Sequence, residues 1–170
     1  MFLPPLAVKP DWKYFLRKAY LIAQKSSDPS SQVGALLVND EGRILAEDAN
    51  RMPEGILSAP DRWKRPLKYK FVEHAERNAI FQLAKNGVAT RGLTMVCTWG
   101  VCSDCARAII QSGVKRLVTH LQAYNKTPKM WQEDIEIAFI MLREAGVEII
   151  MYDGHINTKD IVFAGNFWSP

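Results

Sequence analysis

Two short groups of residues, His74-Ala75-Glu76 and Cys102-Ser103-Asp104-Cys105, each open an apolar pattern of helical period. One imidazole and two thiolates form a three-ligand zinc set whose fourth tetrahedral position is left for water, whereas structural zinc sites are normally closed by four protein ligands. The spacing restricts the fold. Cys102 and Cys105 stand at i and i+3, so both thiols leave one face of a first helical turn, where the partial positive charge of the helix start favours thiolate. His74 and Glu76 are two apart, roughly 200° around a helix axis, and converge only on something placed off the helix end. The chain must therefore bring two helix starts together around one ion.

The remaining pattern supplies a scaffold for that. Pro10-Asp11 opens a helix with Trp12, Phe15, Leu16, Ala19, Ile22 and Ala23 on one face, broken by Ser26-Ser27-Asp28-Pro29-Ser30-Ser31. Val33–Val38 and Arg43–Ala46, joined by Asn39-Asp40-Glu41-Gly42, read as a hairpin. Residues 48–70 read as a long polar loop. Then follow a helix from about His74 to Asn86, a strand at Leu93–Cys97 and a helix at Cys102–Ser112. A strand at Lys115–Thr119, a helix at Met130–Ala145 and a strand at Val147–Tyr152 complete the pattern. This order predicts a three-layer α/β/α domain with a mixed sheet of about five strands, an N-terminal hairpin and parallel βαβ units, because helical crossovers join parallel strands. One domain over 1–170 is expected, with its core at about 10–152. The tail 153–170 carries no pattern beyond Phe163, Phe167 and Trp168, which are read as docking on the body or on a neighbouring subunit.

Composition excludes several classes. With 48% hydrophobic and 24% charged residues the chain is no disordered segment. A net charge of +4 suits a phosphate-bearing small molecule and falls short of a nucleic-acid footprint. Three cysteines clustered at 97, 102 and 105 make no disulfide framework and point to a reducing compartment. Met1–Val8 lacks a basic segment and a long apolar stretch, so no secretory signal is read. No apolar run approaches the roughly 20 residues of a membrane span. The expectation is a soluble cytoplasmic protein.

Charge assigns Glu76 its part. Zinc at +2 with two thiolates and a neutral imidazole sums to zero, and such a site acidifies its water less than an all-histidine site. A nearby base is needed, and Glu76 is free to act as one, taking a proton from water and passing protons to a ring nitrogen and a leaving amine. Taken singly, C-x-x-C fits redox chemistry and H-x-E fits surface charge; together, each opening a helix, they favour a catalytic metal site over a purely structural one. Cys97 is read as a buried core thiol, and His120 and His155, which lack ligand spacing, as structural or exposed.

The combination is that of zinc-dependent deaminases, and longer stretches resemble the deoxycytidylate deaminase family. Ser26–Ala35 is similar to its opening motif, Asn50-Arg51-Met52-Pro53-Glu54-Gly55 to its N-x-x-P-x-G loop, Lys68–Ile80 to its zinc-histidine helix, and Cys102–Lys115 to its cysteine helix. The similarity covers about residues 10–150. It implies conversion of dCMP to dUMP with ammonia release, zinc as cofactor, a nucleotide as small-molecule partner and a homo-oligomer, by family analogy a hexamer. It also implies sugar contact by Asn50 and base contacts by Ala75 and Thr98. Two departures stand out: Val101 replaces the proline expected before the first cysteine, and Asp48-Ala49-Asn50-Arg51 replaces the family's regulatory G-Y-N-G stretch. The first predicts altered base packing; the second argues against control by dCTP. Arg62, Lys64, Arg65, Lys68 and Lys70 form either a phosphate clamp or a solvated loop. A modified nucleotide, dCTP, or a base in tRNA or single-stranded DNA stand as alternative substrates, and a non-enzymatic zinc module as the alternative role.

Overall fold

The computed structural model describes residues 10–170; Met1–Val8, read above for a secretory signal, lies outside the described residues. Helix α1 (Trp12–Ala23) starts where the Asp11 side chain accepts the Tyr14 N–H, 3.0 Å away. Its inward face carries Phe15, Leu16, Ala19, Tyr20, Ile22 and Ala23, the helical period expected. Strands β1 (Gly34–Val38) and β2 (Ile44–Ala49) form the hairpin, β2 running three residues further than its apolar pattern predicts. Of those residues, Glu47 and Asp48 carry polar side chains, as an edge strand allows, while Ala49 is buried.

Two short helical pieces occupy the predicted 48–70 loop, a 3-10 turn at Pro60–Trp63 and one helical turn, α2 (Lys68–Phe71). Helix α3 (Ala75–Lys85), strand β3 (Thr94–Cys97), helix α4 (Ser103–Gln111) and strand β4 (Arg116–His120) follow. A short helix α5 (Leu121–Asn125), absent from the sequence reading, precedes α6 (Lys129–Glu144) and β5 (Glu148–Tyr152). The sheet order is β2-β1-β3-β4-β5. β1 is antiparallel to both neighbours, while β3, β4 and β5 are parallel, as the crossovers require.

Strand alternation divides the core into two layers. Ala35, Leu37, Met95, Cys97 and Leu117 face α3, α4 and α6. Leu36, Val38, Val96 and Val118 face α1. At Gly34 an added Cβ would strike the Ala19 carbonyl oxygen, so glycine allows α1 to lie directly on the sheet. The tail is ordered against the α1 side. Ile156, Ile161 and Phe163 are buried there, and β6 (Ile161–Phe163) pairs with β7 (Asn166–Trp168) in an antiparallel hairpin. The tail aromatics Phe163 and Trp168 thus dock on the body of the same chain. No described helix is long and apolar enough to cross a membrane.

Candidate active site

His74 and Cys102 are the N-cap residues of α3 and α4, both in extended backbone one step before their helices. Each cap is held from outside its own helix. Arg51 and Glu73 exchange backbone hydrogen bonds of 3.1 and 2.9 Å, tying the approach to α3 onto the end of β2. The Glu73 carboxylate accepts the His74 N–H at 2.9 Å, and Asn78 donates from α3 to the Ala49 carbonyl at 3.0 Å. On the other side, Asp134 of α6 accepts both the Ser103 N–H at 2.9 Å and the Ser103 hydroxyl at 2.6 Å. It satisfies an orphan donor at the head of α4. Val101, standing where the resembling family has proline, is fully buried in the core beside Cys102.

These tethers bring the predicted ligands together. His74 Nδ1 lies 3.4 Å from Cys102 Sγ and 3.4 Å from Cys105 Sγ, and the three donor atoms fall within 4.8 Å of one another. Zinc at its usual bond lengths in tetrahedral geometry sets nitrogen and sulfur roughly 3.6 Å apart, so the donors fit the ion. Among the described residues this group has three members, Glu76 not being one.

The electrostatics agree with that use. Without metal, the Cys105 hydrogen bond, together with His74, holds the Cys102 thiol at about 4 against the upward pull of burial. Burial would lower His74, but the hydrogen bond and charge of Cys102 raise it to about 9. Cys105 is pushed up by its hydrogen bond to Cys102 and by burial. A cation placed among the three would hold both sulfurs as thiolates and the imidazole neutral. Glu76, on the first turn of α3, is 3% exposed, and burial pushes its carboxyl up. Cys97 is fully buried in the core and its thiol is raised by burial, as expected of an inert core cysteine.

A cleft with about 690 Å³ of empty space, the part open to solvent included, leads to this corner. His74, Ala75, Glu76, Cys102 and Asn50 all line it, and so bring the predicted metal, acid–base and sugar-contact residues to one space. Thr98 does not line it: its hydroxyl accepts the Gly34 N–H at 3.2 Å, and its carbonyl lies 3.1 Å from the Tyr20 hydroxyl. Asn50 is tightly held. Its Nδ2 donates to Asp28 Oδ2 and the Ser31 carbonyl, each at 2.9 Å, and its Oδ1 accepts the Val33 N–H at 2.8 Å.

Of the basic run, only Arg65 and Lys68 line the cleft. Arg62 lies over the Phe71 ring, 4.5 Å from its centre, and Lys64 pairs with Asp61. Lys68 is buried, 2.6 Å from Asp28 Oδ2 and 2.7 Å from the Ser30 hydroxyl. Asp48 is engaged by Arg51 through bonds of 2.9 and 2.7 Å. Sequence reading offers Tyr69 and Trp99 as stacking aromatics, but it missed Trp131, which meets both at the cleft, and the buried Lys68–Asp28 pair. Asp28 carried a signal: Asp-Pro-Ser-Ser is turn chemistry, and Asp28 Oδ1 accepts the Ser30 and Ser31 N–H groups at 2.8 and 3.2 Å.

A three-layer α/β/α fold with a His/Cys/Cys group between two helix starts, and a buried carboxyl beside it, defines a zinc-dependent deaminase. Comparison with known proteins narrows the class. Residues 10–121 match the cytidine and deoxycytidylate deaminase zinc-binding region. A deoxycytidylate deaminase of Mus musculus is 37% identical over 144 residues, spanning 81% of this chain and 77% of that protein. The deoxycytidylate deaminase of Enterobacteria phage T4 is 30% identical, covering 79% of this chain and 86% of its own length. The crystal structure of dCMP deaminase from cyanophage S-TIM5 in complex with dCMP and dUMP superposes with a TM-score of 0.65 at 28% identity, covering 85% of this chain and 99% of that one. The chain belongs to the cytidine and deoxycytidylate deaminase family.

Proposed function

We propose that the protein hydrolyses the exocyclic amine of a cytosine nucleotide, converting dCMP and water to dUMP and ammonia. One observation carries this reading: a buried carboxyl outside the three-donor group, Glu76, shares the open cleft with His74 and Cys102. A purely structural metal site gains nothing from such a group. The cyanophage relative, described in complex with dCMP and dUMP, supports the choice of nucleotide.

His74, Cys102 and Cys105 would hold the zinc, which when bound would supply Lewis acidity at this corner of the cleft. Glu76 accepts a proton from the attacking water as the water oxygen bonds to the ring carbon bearing the amine. It delivers this proton to the neighbouring ring nitrogen, and carries a second to the amine, which departs as ammonia. Burial raises the Glu76 carboxyl, which favours the protonated form that delivers the proton. Ala75 is the first residue of α3, where backbone N–H groups have no helical partner and can meet the base. Asn50 uses both amide hydrogens internally, leaving Oδ1 with capacity for a sugar hydroxyl. Thr98 acts from behind, fixing the strand end from which Trp99 reaches the cleft.

At the cleft, Lys68 is already matched by Asp28, whereas Arg65 makes no ion pair among the described residues. Arg65 is thus the phosphate partner and Lys68 its neighbour. The test is ammonia release from dCMP and deoxycytidine, with and without chelator. We expect dCMP to be favoured by about a hundredfold in kcat/KM, with Arg65→Ala abolishing most of that preference. Equal turnover of deoxycytidine sinks the phosphate assignment; undiminished activity in a metal-free preparation sinks the mechanism. Residues 1–170 acting as one domain and assembling as a homo-oligomer belong to the same reading, checked by sedimentation velocity.

A further inference from the structure

The tail hairpin makes contacts that its small size does not call for. Ala164 and Gly165 form its two-residue turn with φ of 51° and 82°, the left-handed region that such a turn needs and that alanine rarely adopts. Both turn amides are directed outward, onto the loop that follows α1. The Ala164 N–H donates to the Ser31 hydroxyl at 3.1 Å, and the Gly165 N–H to the Ser30 carbonyl at 2.8 Å. Gln32 adds a reciprocal pair with Val162: its N–H donates to the Val162 carbonyl at 2.8 Å, and its Oε1 accepts the Val162 N–H at 2.9 Å.

That loop borders the cleft. Ser31 lines it, the Ser31 carbonyl holds Asn50 Nδ2, and the Ser30 hydroxyl holds Lys68 Nζ. The second contact is aromatic. Phe163, 4% exposed, meets the cleft-lining Trp99 edge to face at 4.9 Å between ring centres, while Trp99 Nε1 donates to the Thr127 hydroxyl. Phe167, on the same hairpin, is 83% exposed and provides an internal control. The hairpin lies outside the 10–121 family match.

We propose that the β6–β7 hairpin positions the nucleotide pocket: its tip fixes the Ser30–Gln32 loop and Phe163 seats Trp99, so that it governs how tightly substrate is held without touching the metal corner. The proposal rests on the cytosine-nucleotide reading above. Phe163 and the turn are positioning elements, since none of them lines the cleft. A merely structural role, as cover for the sheet, would instead lower stability, zinc content and kcat together.

The zinc-loaded enzyme is compared with Phe163→Ala, Phe163→Leu and Phe167→Ala. In Phe163→Ala, KM for dCMP should rise about tenfold, with kcat within about twofold and zinc content unchanged. Phe163→Leu should recover part of the loss, and Phe167→Ala should match the unaltered protein. Without nucleotide present, hydrogen exchange at the Gln32 and Gly165 amides should accelerate in Phe163→Ala, less in Phe163→Leu, and not in Phe167→Ala. An unchanged KM, or a fall of zinc content and kcat together with it, overturns the proposal; if Phe163→Ala does not fold, Phe163→Leu decides on the same criteria. Should the unaltered chain turn over no cytosine nucleotide, the substrate reading fails, while the exchange rates still show whether the hairpin fixes the loop.

Discussion

The metal corner and the nucleotide wall meet in one cleft but are built in opposite ways. The corner comes from two helix starts, 74–76 and 102–105, whose neighbours hold them by short backbone tethers. The wall is gathered from Asp28, Ser31 and Asn50, from Arg65, Lys68, Tyr69 and Val72, from Trp99 and Gly100, and from Trp131 and Ile135. The tail hairpin steadies part of it. Chemistry that needs three donors and one carboxyl at fixed spacing can be carried by helix geometry alone. Holding a nucleotide requires polar and aromatic groups on all sides of it, and only tertiary packing supplies that. The two regions should therefore fail differently when altered.

The largest separation is expected at Glu76. Glu76→Gln should lower kcat by about a thousandfold, leaving zinc content and nucleotide affinity near normal. Steady-state kinetics with metal analysis checks it, and comparable activity would remove the proton carrier from the account. Lys68→Met probes the wall. It leaves the Asp28 carboxylate buried without its cation, though still bonded to Ser30, Ser31 and Asn50. Urea unfolding should show a loss of about 3 kcal/mol, partly regained in Asp28→Asn with Lys68→Met. A loss of the same size in metal affinity would mean that the two regions are not separable.

Smaller effects sharpen the same contrast. Asp134→Ala frees the Ser103 N–H at the head of α4, and chelator competition should then show zinc bound about tenfold more weakly. His120 tests the fold away from both regions. It is fully buried, with Nε2 2.9 Å from the Gly154 carbonyl and Nδ1 2.7 Å from the Tyr20 hydroxyl, as a neutral ring donating from Nε2 would be. Burial lowers it below its ordinary value. The unfolded chain then binds more protons near pH 6, so this contribution is complete above about 6.5 and is lost as the pH falls towards the lower folded value. Between pH 7 and 5.5, stability should fall more in the unaltered protein than in His120→Gln, read by denaturant unfolding.

The same contrast explains what the sequence disclosed. The two ligand groups, the helices that they open and the parallel strands between them follow from local spacing and apolar period, and the structure places them within a residue or two. Helix α5 was not legible because five residues are too few to show a period. The end of β2 reads as loop because an edge strand need bury little. The tail hairpin turns on Ala-Gly, which lacks the Asn-Gly or Asp-Gly signal, and its partners are some 130 residues away. Lys68 could not be told from Lys64 or Lys70 by type; only the fold gives it Asp28 as a partner.

X-ray absorption at the zinc edge of the purified, active protein is the most direct test. The predicted shell has two sulfur atoms at about 2.3 Å and two lighter atoms, one nitrogen and one exchangeable oxygen, at about 2.0 Å. A shell completed by a fourth protein donor, or full activity in protein that holds no metal, would contradict a cleft built around three ligands and one open position.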